Sequence, residues 1–288
     1  MRQLKRWLLE AEETTAAELP FDNTSQWLGQ SFRKIMLDPV ARRRPPYIWG
    51  LLQGCALGKV LGYKSVSVIE FGVAGGAGLL ALERTAQLAE DLIGIAIEVH
   101  GFDLGAGLPP ATDYRDCPNL FSGGQFPMDE VALRARLNRA QLHLGPVDKT
   151  IAEFTSTLSS PVAFVSFDLD LYSSTQSALQ LFAGDEESVL PRVVCYFDDI
   201  VGYTFSEHNG ARLAIREFND RWSKRKISPI YGLKYYLPAE VQQRRWSELI
   251  YLTHFFEHSR YNEPDSYRKP YQITIDDQNV TDVVSPRQ

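Results

Sequence analysis

Apolar residues recur at helical spacing in the first sixty positions and then give way to short β-branched runs separated by amphipathic stretches. Leu4, Trp7, Leu8 and Ala11 keep the helical period, Ser25 to Leu37 forms a second helical stretch, and Pro45-Pro46 opens a third over Tyr47 to Leu61, proline being suited to a first helical turn. From Ser65 the texture changes: a strand ends at Glu70, a helix covers about 77–92, and a second strand covers 94–102. A long irregular loop, 111–127, precedes a helix over 129–141 and a short strand or turn near 144–148. The run 162–167 reads as a buried strand, followed by a helix for which Ser173 and Gln176 have capping-box spacing. A further strand covers 193–197, a helix 211–224, and the runs 227–237 and 247–256 complete the sheet as an antiparallel pair. Strands alternating with helices predict an α/β fold with a mainly parallel sheet covered on both faces. The domain layout that follows is an N-terminal helical part, 1–62, acting as a cap on the core or a dimer surface, an α/β domain over 63–260, and a polar tail, 261–288.

The first strand-to-helix turn carries glycines at 72, 75, 76 and 78 after Glu70. Glycine there lets a ligand approach the backbone, and a helix opening favours an anionic group, so the turn points to a nucleotide-type cofactor. The dinucleotide fingerprint is excluded because Ala74 and Ala77 stand where it needs glycine. A Walker-type loop is excluded because the Gly58-Lys59 pair is followed by Val60. The second strand ends in Asp103, an acid placed to accept the hydroxyls of a ribose, although Asp at such a position is also a frequent loop cap.

Two later strands end in carboxylates, Asp168 and Asp170 after the first, Asp198 and Asp199 after the second. If the strands are parallel neighbours, these acids meet at the sheet edge where ligands bind in open α/β folds. Clustered carboxylates raise one another's pKa unless a cation sits among them, and a hard divalent ion prefers oxygen ligands. His208 follows in the next loop.

Charge and cysteine usage narrow the class. A net charge of -6 argues against a general nucleic-acid or anionic-membrane partner, while Arg42-Arg43-Arg44 reads as a solvated basic turn. Cys55, Cys117 and Cys195 are widely separated and fit neither a disulfide framework nor a metal clip, which places the chain in a reducing cytoplasm. The opening residues lack the apolar core of a secretory signal, and no window reaches the roughly 20 apolar residues of a membrane span. His254, Glu257 and His258 match the inverted zinc-peptidase pattern, but that motif requires a helix and the preceding Leu249 to Thr253 reads as strand.

Four patches in this order and spacing, VIEFGVAGG from Val68, Gly101-Phe-Asp103 with Gly107-Leu-Pro109, DLDLYSST from Asp168, and Phe197-Asp-Asp199, resemble the macrocin O-methyltransferase-like (TylF-type) family of methyltransferases dependent on S-adenosyl-L-methionine and a divalent metal. The resemblance spans about residues 65–220. It implies a Rossmann-like class I methyltransferase fold, a mainly parallel seven-stranded sheet with a reversed last strand. Glu70, Gly72 and Gly76 would line the amino-acid part of the cofactor, Asp103 would hold the ribose, and Asp148 would meet the adenine. Mg2+ would sit on Asp168, Asp198 and Asp199, with Asp170 at the reacting centre as a proton acceptor; His208, just after the second carboxylate strand, is a second candidate base on its position alone. The implied reaction is O-methylation of a hydroxylated small molecule such as a sugar or glycosylated metabolite. The alternatives are a Rossmann-like protein that binds this cofactor or another nucleotide without methyl transfer, or a relative of the cephalosporin-hydroxylase-like group. Two segments depart from the family pattern: Leu190-Pro191-Arg192 replaces its usual Gly-Gly, and Leu104-Gly105-Ala106 replaces a polar, aromatic and acidic run.

Overall fold

The computed structural model describes residues 25–238, 241–242 and 244–264. The helical stretch from Leu4 to Ala11 and the tail beyond residue 264 lie outside the described residues. Seven strands form one sheet in the order β3-β2-β1-β4-β5-β7-β6. Strands β1 (Ser65–Phe71), β2 (Ala96–Asp103), β3 (Gln141–Leu144), β4 (Val162–Phe167) and β5 (Val189–Phe197) pair in parallel. β7 (Ile250–Phe255) lies antiparallel between β5 and β6 (Arg225–Pro229). The chain runs from β1 outward to β2 and β3, then returns to lay β4 on the other side of β1. The ends of β1 and β4 therefore flank the switch point at which open α/β sheets bind ligands.

A row of phenylalanines sets that edge. Phe71, Phe102, Phe167 and Phe197 are buried, and the sheet register pairs Phe71 with both Phe102 and Phe167, and Phe167 with Phe197. Their ring centroids lie 4.9, 5.5 and 4.6 Å apart in those three pairs. Contacts of this kind add about 0.5–1.5 kcal/mol each beyond the area they bury, and a slip of one residue would turn the row to the opposite face. The next residue on each strand is Gly72, Asp103, Asp168 or Asp198, so the row aligns the glycine turn with three carboxylates.

Helix α1 (Ser25–Met36) turns Trp27, Phe32 and Ile35 inward. Helix α2 (Pro45–Val60) is apolar around its circumference, as befits a helix buried on all sides. It lies against the sheet through glycines four residues apart. A Cβ at Gly50 would stand 2.3 Å from the Phe164 ring, one at Gly54 2.2 Å from the Ala163 carbonyl oxygen, and one at Gly58 2.6 Å from Val66. Helix α3 (Ala77–Ile93) follows the glycine turn. No helix among the described residues is long and apolar enough to cross a membrane, and the three cysteines are buried and unpaired.

Several elements depart from the sequence pattern, among them the short strand or turn expected near 144–148, which is β3 at Gln141–Leu144 followed by an unexpected helix over Val147–Thr157. The helix expected over 129–141 is the single turn α4 (Glu130–Arg134). Buried Glu83 on α3 accepts the backbone amides of Asn138, Arg139 and Ala140 at 2.6–3.0 Å, drawing the chain out of the helix and into β3. The strand expected over 227–237 stops at Pro229, where Gly232 at φ +73 turns the chain into a 3-10 helix. The capping box at Ser173 and Gln176 does not form in α6 (Tyr172–Ala178), because Asp116 of the long loop takes the cap instead. Asp116 accepts the Ser173 amide at 2.8 Å and its hydroxyl at 3.1 Å, together with the amide and hydroxyl of Thr112.

Candidate active site

The glycine turn is built around close backbone approach. At Gly72, with φ +84, a Cβ would fall 1.8 Å from the Asp168 carbonyl oxygen, and at Gly76, with φ +82, 2.2 Å from Leu133. The amides of Val73 and Ala74 donate to Oδ2 of Asp103 at 2.9 and 2.8 Å, and Gly105 donates to its Oδ1 at 2.6 Å. The loop-cap role open to Asp103 from sequence is thus realised, and the turn's first amides answer a carboxylate already in place rather than a free anion.

Glu70 ends β1 inside the protein, 1% exposed. Its Oε1 accepts the Tyr47 hydroxyl at 2.6 Å, and that hydroxyl in turn accepts Ser166 at 2.8 Å. Its Oε2 has no partner. Burial pushes the carboxyl up to about 8 despite the Tyr47 hydrogen bond. A Cβ at Gly78 would stand 1.8 Å from Oε1, so glycine there admits the acid beneath the first turn of α3.

A cleft of about 680 Å³ joins this turn to the carboxylates of β4 and β5. Glu70, Gly72, Asp103, Asp148, Asp168, Asp170, Asp198 and Asp199 line it. Asp148 stands at its exposed rim in the first turn of α5 (Val147–Thr157). Gln125 and Phe126 of the long loop form part of the wall, held by backbone hydrogen bonds of 2.8 Å from Leu108 to Gln125 and from Gly124 to Leu108. Gly76 and His208 are not among the lining residues. His208 is exposed on the loop ahead of α7 (Gly210–Arg221), with its ring facing Arg216 at 3.3 Å, so it is not brought to the carboxylates.

Asp168, Asp198 and Asp199 each offer an oxygen within 4.8 Å of the others. Burial and then Asp198 raise Asp168 to about 7, with Arg44 opposing. Burial raises Asp170 to about 6, and burial and then Asp170 raise Asp199 to about 8. Tyr196 donates its hydroxyl to Asp198, while Oδ2 of Asp199 is buried without a partner. Oxygens bound to one magnesium ion at about 2.1 Å lie at most about 4.2 Å apart, and those around calcium up to about 5 Å. The set is all carboxylate oxygen and nearly at that spacing, with an orphaned oxygen among it, so the residues fit a hard divalent cation, which would favour their ionised forms.

These shifts have a measurable sign. An acid raised in the folded state keeps its proton where the unfolded chain has lost it, so stability present below pH 4 is lost as pH rises toward 8. His100, which burial lowers to about 4, acts only below pH 6.5 and leaves the window above it clear. The metal-free protein should therefore lose about 5 °C or more in melting temperature from pH 6.5 to 8.5, and Mg2+ should raise that temperature more at pH 8.5 than at 6.5. A flat profile in differential scanning fluorimetry, with and without Mg2+, would contradict this.

Sequence reasoning missed Arg44. Arg42 and Arg43 are exposed as expected, but Arg44 is half-buried in the cleft, its guanidinium 3.5 Å from Asp168 and 5.7 Å from the centre of the Tyr47 ring. The 3-10 turn Ala41–Arg43 and the helix opening at Pro45 leave Arg44 as the residue between them, which fixes which of the three side chains turns inward. That orientation is not written in a run of like residues. The zinc-peptidase pattern also resolves: His254 lies on β7 and binds the Tyr261 hydroxyl at 2.8 Å, and Glu257 pairs with Arg225 at 2.6 Å.

No family model and no curated protein matches the chain. Among solved structures it is similar to CalS11, a calicheamicin methyltransferase, at 18% identity over 72% of this chain and 88% of that one, with a TM-score of 0.46. It is also similar to the O-methyltransferase from Bacillus cereus in complex with SAH, at 15% identity over 87% and 99% of the two chains and a TM-score of 0.37. A third is the SAH-bound methyltransferase PaMTH1 of Podospora anserina, at 11% identity over 88% and 95%, with a TM-score of 0.39. At such identities and TM-scores these likenesses carry no argument about this chain. Strand order and the reversed β7 define a Rossmann-like class I methyltransferase fold; what the cleft binds follows from its own side chains.

Proposed function

We propose that this protein is an O-methyltransferase that uses S-adenosyl-L-methionine and a divalent metal ion, magnesium in the simplest case, to methylate a hydroxyl of a small molecule. The observation that carries the reading is the charge of the cleft. Seven carboxylates line it, and Arg44 is the single basic side chain among the described lining residues. A polyphosphate cofactor would meet these acids with like charge, at a turn whose first amides already hold Asp103. A sulfonium cofactor carries two cationic groups and one carboxylate, so its net charge complements the same cleft.

In this reading the ribose lies by Asp103, the adenine toward Asp148, and the amino-acid end toward Glu70. When bound, a divalent cation on Asp168, Asp198 and Asp199 supplies Lewis acidity that lowers the pKa of an acceptor hydroxyl. Asp170, raised to about 6 and therefore largely ionised at neutral pH, takes the hydroxyl proton as the acceptor oxygen takes the methyl group. The buried row of phenylalanines keeps these groups in fixed register, which is what an in-line transfer requires. A sugar or glycosylated metabolite is the acceptor class we favour, on the family resemblance of residues 65–220, and the cytoplasm is the setting consistent with three unpaired cysteines.

Isothermal titration tests the reading at the binding step. S-adenosylmethionine and its demethylated product should bind, whereas ATP and NAD should not. Binding of the nucleotides without the sulfonium compound would overturn it.

A further inference from the structure

Resting on the cofactor reading above, we infer that Arg44 is the clamp for the carboxylate of the cofactor's amino-acid end, paired across the cleft with Glu70 for the ammonium group. The cofactor is linear, and Asp103 on β2 fixes where the ribose can lie, so its amino-acid end runs toward β1 and β4. Glu70 at the end of β1 offers an unpartnered, buried oxygen there. An α-amino acid also brings a carboxylate, and in a cleft with seven acids that group needs a cation. Arg44 is the basic side chain the described cleft provides.

Its placement is built rather than incidental. Asp38 accepts the amides of Val40 and Ala41 at 2.9 and 3.0 Å and binds Arg84 of α3 at 2.8 Å, tying the segment before Arg44 to the helix that follows the glycine turn. The Tyr47 amide donates to the Arg44 carbonyl at 2.9 Å, and the Tyr47 ring and hydroxyl connect Arg44 to Glu70. One long hydrogen bond, 3.5 Å to Asp168, engages a guanidinium that has five donors in a fork suited to a carboxylate. A metal ion taking Asp168 would compete with even that bond. The cofactor's carboxylate would then satisfy the donors that Asp168 no longer holds.

The test compares S-adenosylmethionine with its decarboxylated analogue by calorimetry, on the wild type and on Arg44→Gln, with and without Mg2+. The clamp predicts that Arg44→Gln weakens the amino-acid form by about tenfold or more while the decarboxylated form binds as well as before or tighter. Arg44→Lys, keeping the charge but not the fork, should fall between. If Arg44 served only to neutralise Asp168, both cationic ligands would tighten together, and that result overturns the inference. Equal weakening of both would also overturn it, with a matching drop in melting temperature marking a purely structural arginine. Failure of S-adenosylmethionine to bind the wild type would remove the cofactor reading itself, a distinct outcome.

Discussion

Asp199→Asn will lower methyl transfer on the order of 10³-fold while raising the melting temperature of the metal-free protein at pH 8. The two effects have opposite sign because one carboxylate serves two states. Without metal, Asp199 is a half-buried acid raised to about 8 by desolvation and then by Asp170, Asp168 and Asp198. Its Oδ2 has no hydrogen-bond partner, so an amide there breaks no bond of that oxygen and relieves repulsion among neighbours. In the proposed function the same carboxylate would be a metal ligand, and an amide would be a far weaker one. Affinity for the demethylated cofactor should change by no more than about twofold, since the contacts proposed for it, Glu70, Asp103, Asp148 and Arg44, do not include this residue. Steady-state kinetics, thermal melting and calorimetry on one variant read all three. Loss of activity together with loss of stability would make Asp199 a folding residue instead of a ligand. Asp198→Asn is a less clean probe, because Asp198 also accepts the Tyr196 hydroxyl.

Gly72→Ala will cost about 4 kcal/mol of stability and abolish cofactor binding. The added Cβ would sit 1.8 Å from the Asp168 carbonyl oxygen, which is backbone and cannot swing aside, at a φ of +84 that alanine rarely adopts. The Asp168 amide donates to the Phe71 carbonyl at 2.9 Å and the Gly72 amide to the Phe102 carbonyl at 2.9 Å, so moving Gly72 pulls on both strands that carry the acids. Gly75→Ala is the matched control three residues on. A Cβ at Gly75 would meet nothing within 4 Å and its φ is ordinary, so stability should change by less than about 1 kcal/mol. Chemical denaturation of the two variants side by side decides the matter: equal losses would mean the turn tolerates substitution generally.

The legible parts of this site are those written in local sequence. Phe71-Gly72, Phe102-Asp103, Phe167-Asp168 and Phe197-Asp198 each join a buried aromatic to a site residue, and strand periodicity places the aromatic inside and its neighbour at the edge. Once β1, β2, β4 and β5 are parallel, those pairs fall side by side. Contacts between distant segments were not legible. Glu83 ends α4 by taking amides more than fifty residues away, and Asp116 caps α6 from a loop that reads only as irregular. Arg44 belongs to the same class, since its place in the cleft depends on where α2 lies against the sheet, which the glycines at 50, 54 and 58 permit without announcing. His208 is close to Asp199 in sequence, yet it is exposed, faces Arg216 and does not line the cleft, a placement the sequence does not carry.

The most direct test of a cofactor cleft joined to a metal centre is a crystal structure of the protein grown with the demethylated cofactor and Mn2+, a visible stand-in for magnesium. An anomalous peak bonded to Asp168, Asp198 and Asp199, with the ribose beside Asp103 and the amino-acid end between Glu70 and Arg44, is the predicted result. A manganese peak away from these carboxylates, or a cofactor bound outside the glycine turn, would contradict the account.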